Sequence, residues 1–498
     1  MKSVLVHSPQ AEYCKLLLIL VLFASLPTFV PLGFGFAQDE VVGSDDRIAI
    51  IGAGVSGLTI AHLLETRLGF SNVTVYEMNS RVGGKIFSPA IDGVPVDVGA
   101  VSVDSEFAMK AAERCRIPYN KSGTLLDVLP GTDGPIFVPP LQAFEILGLD
   151  VWSELSTWLA MYPKYKYLDE APNAFFLKHR DTNLYMPFDE FTKRNGIGEL
   201  GEAFRQLYVL CGYGYGEKVP AIYLLKFMVR TLSPQTISNY LGSGEEGYLT
   251  FPGGAQALME CIASDLKDVR LGSQIINITR NSGQIRIDLE RSVDYADYLI
   301  ITSDLKSSLG FLADASPEEE ELFTSVIHQY YSSSIVSGAV VPSFSPNSSS
   351  QNALSILAFV RNLVSTRKGH VVGTTSKSSY EDILVAYQYL NGSEQAPPMV
   401  PAIIDESSTG PLDMLERDLD EEAGITFNTT GPHFIWDTYF PHFDSQSLLS
   451  GSYQRLGALQ GRSNTFYAGG LFNFETVHDT SRFAQYLVSQ MTGKNVSF

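Results

Sequence analysis

The chain has 498 residues, enough for two or three domains, and 45% of them are hydrophobic, which allows a large core. Its formal net charge of −20 excludes non-specific binding to nucleic acids and to anionic membranes, because both require a basic surface. The four cysteines exclude a disulfide scaffold, and no Cys-x-x-Cys or His/Cys cluster predicts a metal site.

Residues 1–37 have the pattern of a secretory signal peptide. Lys2 and Lys15 precede the apolar run Leu16–Val30, and Gly35-Phe36-Ala37 places small residues before a cleavage site. The run is too short for a confident membrane span, with a retained anchor as the alternative. We therefore expect a protein of the secretory pathway, secreted or in an organelle lumen, with no stable membrane span after removal of the signal.

Two further features bear on this secretory expectation. N-x-S/T sequons, which permit glycosylation, begin at Asn72, Asn120, Asn277, Asn347, Asn391, Asn428 and Asn495. Removal of the signal peptide takes Cys14 with it and leaves Cys115, Cys211 and Cys261, so at most one internal disulfide can form.

The first motif of the mature chain is a buried strand followed by a glycine-rich turn. Ile48–Ile51 is a short, mostly β-branched run, and Gly52, Gly54 and Gly57 follow at G-x-G-x-x-G spacing before a helical pattern at Leu58–Leu68. The first glycine permits a tight turn, the second lets a pyrophosphate approach the backbone, and the third lets the helix pack on the strand. The phosphates would then meet free N–H groups at the helix N-terminus.

An acidic residue completes the dinucleotide pattern. Val73–Tyr76 predicts a second strand, and Glu77 ends it, 20 residues past Gly57. A carboxylate at this distance accepts hydrogen bonds from an adenosine ribose. Ser56, at the start of the helix, joins the predicted set. An unrelated Gly-rich turn is the alternative, and it does not account for the strand, the helix and the acid together.

A second glycine pair follows in an E-x-x-x-R-x-G-G-K segment, which contains Arg81, Gly83, Gly84 and Lys85. A nicotinamide dehydrogenase does not need this pair. The segment resembles the flavin-binding signature of the amine oxidase, phytoene desaturase and protoporphyrinogen oxidase superfamily. The resemblance implies two glycines close to FAD and two cations near its phosphates, with ordinary surface cations as the alternative for Arg81 and Lys85.

Two other segments resemble flavin contacts of the same superfamily. The sequence V-D-V-G-A resembles its D-x-G-A segment, which implies that Gly99 and Ala100 run past the flavin. Phe251–Ala255 opens a helix, and Val269–Ile276 alternates as a strand. The resemblance implies that Ile275 contacts the adenine side of FAD through its backbone.

The end of the chain predicts one more flavin contact. Asn464–Gly470 reads as a strand that runs into glycines, and Thr476–Met491 reads as a helix whose N-terminus suits an anion or the pyrimidine edge. The resemblance implies contacts from Gly469, Gly470 and Val477. Gly470 stands where the superfamily has a glutamate, so a side-chain bond from this position is absent. No cysteine lies near this segment, which implies non-covalent FAD.

We therefore predict an α/β fold in which a Rossmann-like FAD-binding domain is interleaved with an α+β substrate domain, as in amine oxidases. The aromatic stretch from Phe188 to Met228 is the candidate for a lipid-sized pocket, with plain helix packing as the alternative. The predicted boundaries are 1–37 for the signal peptide, 38–135, 245–305 and 451–498 for the FAD-binding domain, and 136–244 and 306–450 for the substrate domain.

Several segments resemble one smaller family, the FAD-dependent double-bond isomerases of polyunsaturated fatty acids. They are Tyr185–Phe191, Gly212–Gly214, Val219–Ala221, Ile327–Gln329, Tyr439–His442 and Gln460–Gly469. The resemblance implies that hydride leaves the methylene between two cis double bonds for flavin N5 and returns to a different carbon. The product is then conjugated, with no net oxidation. The chain shows no catalytic triad or carboxylate pair, which agrees with this chemistry.

Four residues are candidates for the reaction itself. Tyr213, Tyr439 and Phe440 could present aromatic faces to the isoalloxazine or to a substrate cation, where the ring quadrupole stabilises positive charge. Core packing is the alternative for each of them. His442 is a candidate proton donor, with a capped surface histidine as the alternative.

The substrate carboxylate and the reaction class leave alternatives open. The segment Lys121–Pro139 contains no arginine, so the arginine clamp of the family's bacterial member has no counterpart there, and Lys226 and Arg230 are the remaining candidates. An oxidase or desaturase that passes electrons to oxygen is the main alternative, with Lys226 as its flavin-adjacent lysine. An FAD-binding protein without catalysis is the third reading. We expect a fatty acid as the partner and no nucleic acid, with a homodimer as one alternative.

Overall fold

The computed structural model describes residues 41–91, 93–100, 106–122, 127–131, 134–137, 151–179, 181–241, 248–280, 283–337, 371–376, 383–389 and 429–498. The predicted signal peptide and the sequons at Asn347, Asn391 and Asn428 lie outside the described residues. Among the described helices, none combines the length and the hydropathy of a membrane-spanning segment.

The described strands are β1 (Ile48–Ile51), β2 (Val73–Tyr76), β3 (Ala90–Ile91), β4 (Val94–Pro95), β5 (Asn120–Ser122), β6 (Asp127–Gly131), β7 (Gly134–Phe137), β8 (Tyr248–Thr250), β9 (Val269–Arg270), β10 (Ile275–Thr279), β11 (Ile285–Leu289), β12 (Val293–Ala296), β13 (Tyr298–Ile301), β14 (Ile327–Ser337), β15 (Val371–Ser376), β16 (Ile383–Tyr389), β17 (Thr429–His442) and β18 (Thr465–Tyr467). The described α-helices are α1 (Val55–His62), α2 (Glu106–Cys115), α3 (Val151–Tyr165), α4 (Tyr167–Glu170), α5 (Phe188–Arg194), α6 (Gly198–Leu210), α7 (Ala221–Thr231), α8 (Pro234–Leu241), α9 (Gln256–Ser264), α10 (Leu305–Ser308), α11 (Pro317–Thr324), α12 (Ser445–Leu449), α13 (Ser452–Ala458), α14 (Gly470–Asn473) and α15 (Val477–Thr492).

A five-stranded parallel sheet in the order β18-β13-β1-β2-β9 forms the nucleotide-binding half. Ile48 aligns with Tyr298 on one side and with Val73 on the other. Every residue of β1 and β13 is buried, as expected for β-branched strands covered on both faces. Three separate stretches of chain build this sheet, so its parallel strands confirm an interleaved Rossmann-like unit. The domain boundaries themselves stay predictions.

Two sequence predictions in this half are corrected. Val269–Ile276 is two strands, because Gly272 takes φ +62° and the turn around it docks against the end of β2. The first strand joins the parallel sheet, whereas the second starts an antiparallel sheet of β10, β11 and β12. The helical pattern at Leu58–Leu68 is α1 followed by a single π-helical turn at Leu63–Arg67.

The substrate half combines an antiparallel sheet with helices. The sheet has the order β15-β16-β14-β17. Helix α7 is almost entirely buried, and α5, α6 and α3 pack close to it, which gives the aromatic stretch from Phe188 to Met228 a predominantly interior position. A disulfide joins Cys115 at the end of α2 to Cys261 in α9, within the limit of one bridge that the sequence allows.

A buried ion pair fixes the end of the parallel sheet. The guanidinium of Arg280 donates to both carboxylate oxygens of Glu319, at 2.6 and 2.9 Å, and to the hydroxyl of Tyr467 in β18 at 3.1 Å. Burial disfavours the charged form of Glu319, but Arg280 and Tyr467 outweigh it and lower the pKa of that carboxyl to about 2. This network holds β18 and therefore the glycines that follow it.

Candidate active site

The turn after β1 lies against the second glycine pair, and no side chain separates the two main chains at Gly54 and Gly84. A Cβ built on Gly84 would lie 3.3 Å from the Cα of Gly54, and one built on Gly54 would lie 4.0 Å from the Cα of Gly84. Main chains that approach this closely form the type of cradle in which a pyrophosphate meets backbone N–H groups. A Cβ at either residue would fill part of that cradle.

The other predicted glycines have packing roles. Gly52 has φ +107°, a conformation that side chains disfavour. A Cβ on Gly57 would lie 2.0 Å from the carbonyl oxygen of Gly52, and one on Gly99 would lie 1.9 Å from that of Lys85. These positions therefore fix the shape of the cradle, and Gly54 and Gly84 leave it open.

Glu77 is buried at the carboxyl end of β2 and its carboxylate is oriented by neighbouring groups. Oε2 accepts a hydrogen bond from the N–H of Ala53 at 2.9 Å. Oε1 accepts from the N–H and the side-chain amide of Asn79, at 2.9 and 2.7 Å. Each oxygen has further acceptor capacity, so a ribose hydroxyl can still donate to Glu77.

Two buried hydroxyls beside the cradle have no hydrogen-bond partner. They are Oγ of Ser56, in the first turn of α1, and Oγ of Ser303, whose N–H nitrogen lies 3.3 Å from a Cβ built on Gly52. Buried polar atoms are nearly always paired, so these hydroxyls indicate a polar ligand. The cradle, the acid and the hydroxyls together fit a dinucleotide.

The two cations of the second motif are engaged within the protein. Arg81 donates to the carbonyls of Gly84, Val82 and Ile86, at 2.9, 3.3 and 3.3 Å, and lies 3.8 Å from the ring centre of Phe87. Burial lowers the pKa of its guanidinium. Arg81 therefore shapes the glycine loop.

The partners of Lys85 lie outside that loop. Its Nζ pairs with Glu475 and donates to the carbonyl of Thr438 at 2.7 Å. Its carbonyl accepts from the N–H of Ala100 at 3.1 Å, which places the predicted Gly99-Ala100 contact directly against the loop.

Ile275, the predicted adenine contact, follows a turn that is hydrogen-bonded to Glu77 and Asn79. The N–H of Ser273 donates to the carbonyl of Glu77 at 2.8 Å, and that of Gly272 donates to Asn79 at 2.9 Å. Ile275 opens β10 directly after this turn. The structure therefore brings Ile275 to the ribose end of the cradle.

The C-terminal segment that begins at Gly469 lies on the opposite side of the turn at Gly52. Thr302 Oγ1 lies 2.9 Å from a Cβ built on Gly52, and the carbonyl of Thr302 lies 3.5 Å from one built on Gly469. Gly469 has φ +132° and starts the short helix α14 at Gly470. Helix α15 then begins at Val477, with Thr476 as its N-cap. The glycine segments predicted to contact flavin thus converge.

Aromatic side chains of the substrate half meet the chain end in one cluster. The ring of Tyr213 lies 5.1 Å from Phe440, 4.7 Å from Phe474 and 5.1 Å from Phe227. Phe440 is buried and takes φ +48°, an unusual conformation for a bulky residue. We call Tyr213, Phe227, Phe440 and Phe474 the aromatic cluster.

Tyr439 lies beside this cluster and is partly exposed. A Cβ on Gly212 would lie 2.5 Å from its ring, which explains a glycine before Tyr213. The ring also packs on Tyr331 at 5.2 Å, and Nζ of Lys85 lies 5.3 Å from its centre. Tyr439 therefore connects the loop Arg81–Lys85, which we call the flavin loop, with the substrate half.

His442 is buried, so the alternative of a capped surface histidine is wrong. Its Nδ1–H donates to the carbonyl of Phe440 at 2.8 Å, and its ring stacks on Phe440 at 4.8 Å. Burial lowers the pKa of His442 to about 4, so the imidazole is neutral near pH 7.

The structure argues against Lys226 and Arg230 as anchors of a substrate carboxylate. Nζ of Lys226 lies 3.0 Å from Asp479 and donates to the carbonyl of Leu168 at 2.6 Å. Arg230 lies 2.6 Å from Asp169 and 2.9 Å from Asp479. Both charges are balanced by these two carboxylates, and Lys226 is fully buried. The pairing with Asp479 also argues against Lys226 as the flavin-adjacent lysine of the oxidase alternative.

The sequence analysis missed two acidic residues of this region. Asp479 lies in the first turn of α15, and Glu475 precedes it and pairs with Lys85. The Thr476-x-x-Asp479 spacing is a capping signature that could have identified Asp479. No local signal identifies the partner of Glu475, because Lys85 is 390 residues away in sequence.

Comparison with known proteins decides the family. A family model described as flavin containing amine oxidoreductase matches residues 55–336, more than half of the chain. The chain belongs to this family. The predicted superfamily and fold class are confirmed, and membership implies a flavin cofactor.

Two similar proteins are fatty acid isomerases. The crystal structure of a CLA-producing fatty acid isomerase from P. acnes aligns with a TM-score of 0.72 and 26% identity, over 90% of this chain and 99% of that chain. The polyenoic fatty acid isomerase of Ptilota filicina is 23% identical over 247 residues, 45% of this chain and 47% of its own. The resemblance to this smaller family is thereby confirmed.

The oxidases of the superfamily also match. Protoporphyrinogen oxidase 2 of Arabidopsis thaliana is 24% identical over 277 residues, 49% of this chain and 53% of its own. The chain spans about half the length of the curated relatives it matches.

Proposed function

We propose that the protein is an FAD-dependent isomerase that moves methylene-interrupted double bonds of polyunsaturated fatty acids into conjugation, without net oxidation. The observation that carries the proposal is the aromatic cluster beside the converging glycine segments, in a chain that aligns along most of its length with a fatty acid isomerase. Bound FAD would supply a group that accepts a hydride and can return it.

The aromatic cluster can stabilise the substrate after hydride loss. Removal of hydride from a bis-allylic carbon leaves a delocalised cation, and the faces of Tyr213 and Phe440 carry negative quadrupole potential. Both rings are buried, so water is kept from a cation that it would otherwise capture. Tyr439 extends this aromatic wall toward Lys85.

The acid–base groups of the site favour hydride transfer over proton abstraction. The Nδ1–H of His442 is used by Phe440, and its lowered pKa makes the imidazole a weak base. Lys226 is held between Leu168 and Asp479. A redox-neutral route through the flavin needs neither group to exchange protons.

We further propose non-covalent FAD, because two glycine loops and Glu77 fit a dinucleotide and the final segment from residue 462 contains no cysteine. The proposed partner is a polyunsaturated fatty acid and not a nucleic acid, and the proposed location is the secretory pathway, with no stable membrane span after removal of the signal. A homodimer remains one alternative. The anchor of the substrate carboxylate is open, since Lys226 and Arg230 are engaged elsewhere.

A second candidate function is an oxidase or desaturase that transfers electrons to oxygen. The likeness to protoporphyrinogen oxidases favours it. The engagement of Lys226 by Asp479 counts against it, because no free lysine remains at that position to assist oxygen chemistry.

The test is anaerobic incubation of the pure protein with arachidonate. We expect conjugated diene or triene absorbance to rise at the same rate with and without oxygen, with no added nicotinamide and no hydrogen peroxide. Oleate, which has no bis-allylic methylene, is the matched control and should give no absorbance. Turnover that stops without oxygen, with stoichiometric peroxide in air, would establish the oxidase.

A further inference from the structure

Glu475 and Lys85 form an ion pair between the flavin loop and the aromatic cluster. Nζ of Lys85 contacts Oε1 of Glu475, and Oε2 of Glu475 accepts from the N–H of Phe440. The Glu475 side chain is 11% exposed. The carboxylate therefore has two partners, one in each half of the site, and little contact with water.

Gly470 makes room for this carboxylate. A Cβ built on Gly470 would lie 3.2 Å from the Cβ of Glu475, closer than most side chains tolerate. Gly470 departs from the superfamily pattern, and in this chain the space beside it is taken by the side chain of Glu475. A carboxylate thus enters the site from the loop before α15 and is directed at Lys85.

The pair removes a local positive charge. An unpaired ammonium stabilises negative charge that develops nearby, and this holds for Lys85 although its side chain is 33% exposed, because the protein around it lowers the effective dielectric constant below that of water. The resemblance implies that Lys85 lies near the phosphates, but the structure brings its Nζ to Thr438, Glu475 and the ring of Tyr439, on the side of the substrate half. There it can act on the redox-active ring of a bound flavin. Burial raises the pKa of Glu475, and Lys85 opposes that rise.

We propose that Glu475 is a positioning residue that neutralises Lys85 beside the flavin and thereby disfavours electron transfer to oxygen. The inference rests on the proposed function, in which both electrons must return to the fatty acid. In the competing reaction, two electrons and two protons from the reduced flavin convert O₂ to H₂O₂. That reaction passes through negative charge on oxygen, which an unpaired Lys85 would stabilise.

The test is a double-mutant cycle on Glu475 and Lys85, measured on the flavin-loaded protein without substrate. Sulfite, an anion that adds to oxidised flavin and bleaches its absorbance, is the probe. Glu475→Gln should bind sulfite at least about tenfold more tightly, since Lys85 is then uncompensated. The flavin potential should also rise, because the same positive charge favours the reduced flavin, which carries more negative charge than the oxidised form. The double variant Glu475→Gln with Lys85→Gln should return to the wild-type affinity.

A purely structural role for Glu475 predicts another pattern. The double variant would then be at least as perturbed as Glu475→Gln, and that result would overturn the inference. Asp181→Asn is the control, because Asp181 is also a carboxylate paired with a lysine, Lys164, and contacts none of the glycine segments. It should leave sulfite affinity unchanged.

Two further readouts separate the possible failures. Gly470→Ala crowds Glu475 without removing it, so it should give a smaller tightening of sulfite binding, and this variant serves if Glu475→Gln does not fold. In air, Glu475→Gln should release more peroxide per turnover than the wild type. If the sulfite cycle behaves as expected while the wild type is an oxidase, the proposed function fails alone. If the wild type is an isomerase but Glu475→Gln binds sulfite with wild-type affinity, this inference fails alone.

Discussion

Gly54→Val should abolish tight binding of FAD and leave the fold intact. The nearest atom to a Cβ at this position is the Cα of Gly84, 4.0 Å away, so the protein itself has room for a side chain. The pyrophosphate does not, because it would pass between these two glycines. We expect FAD to bind at least about tenfold more weakly, a loss of ~1.4 kcal/mol or more.

Flavin content after acid precipitation measures this effect. Wild-type protein should release all of its yellow colour into the supernatant, as non-covalent FAD would, and the variant should release little. Gly253→Val is the matched control, since a Cβ there meets no atom within 4 Å. Gly57→Ala should instead destabilise the fold through its contact with Gly52. Full flavin content in Gly54→Val would show that the dinucleotide lies elsewhere.

Asp479→Asn should destabilise the protein by about 3–5 kcal/mol, because it removes one partner of a buried ion network. Oδ1 of Asp479 lies 3.0 Å from Lys226 and 2.9 Å from Arg230, and Oδ2 accepts from Thr476 at 2.6 Å. Burial disfavours the charged form, but Arg230 and Lys226 outweigh it and lower the pKa of Asp479. In the variant, Asp169 would face two cations alone.

Chemical denaturation in excess FAD measures the loss of stability separately from any loss of flavin. Asp288→Asn, which breaks an exposed pair with Arg286, should leave the unfolding midpoint unchanged. Adding Lys226→Met to Asp479→Asn should recover part of the loss, since Arg230 and Asp169 then balance each other. An unfolding midpoint unaffected by Asp479→Asn would contradict the role of Asp479 as the shared counter-charge of Lys226 and Arg230.

Local patterns predicted the nucleotide half well. β1 and β2 have the predicted bounds, because each is a short run of mostly β-branched residues that are buried in the sheet. The error at Val269–Ile276 has a tertiary cause. The turn at Gly272 forms because its N–H and that of Ser273 bond to Asn79 and Glu77, which the sequence of the strand does not show.

In the substrate half, the ion-pair partners could not be predicted from the sequence. Lys226 and Arg230 look like free cations in the sequence, and the carboxylates that balance them lie elsewhere in the chain, Asp169 before them and Asp479 after them. Glu475 has no motif of its own, and its pairing with Lys85 exists only because the two halves fold together. The aromatic candidates Tyr213, Tyr439 and Phe440 came from resemblance, and the structure brings their rings to one region.

The fate of a bis-allylic deuterium tests the central claim most directly. Arachidonate labelled at its bis-allylic positions should be converted without oxygen, and the product should keep the deuterium at a different carbon, because a returned hydride carries it there. Mass spectrometry of the product gives the answer. Complete loss of deuterium to water would contradict hydride transfer and make His442 the base to mutate.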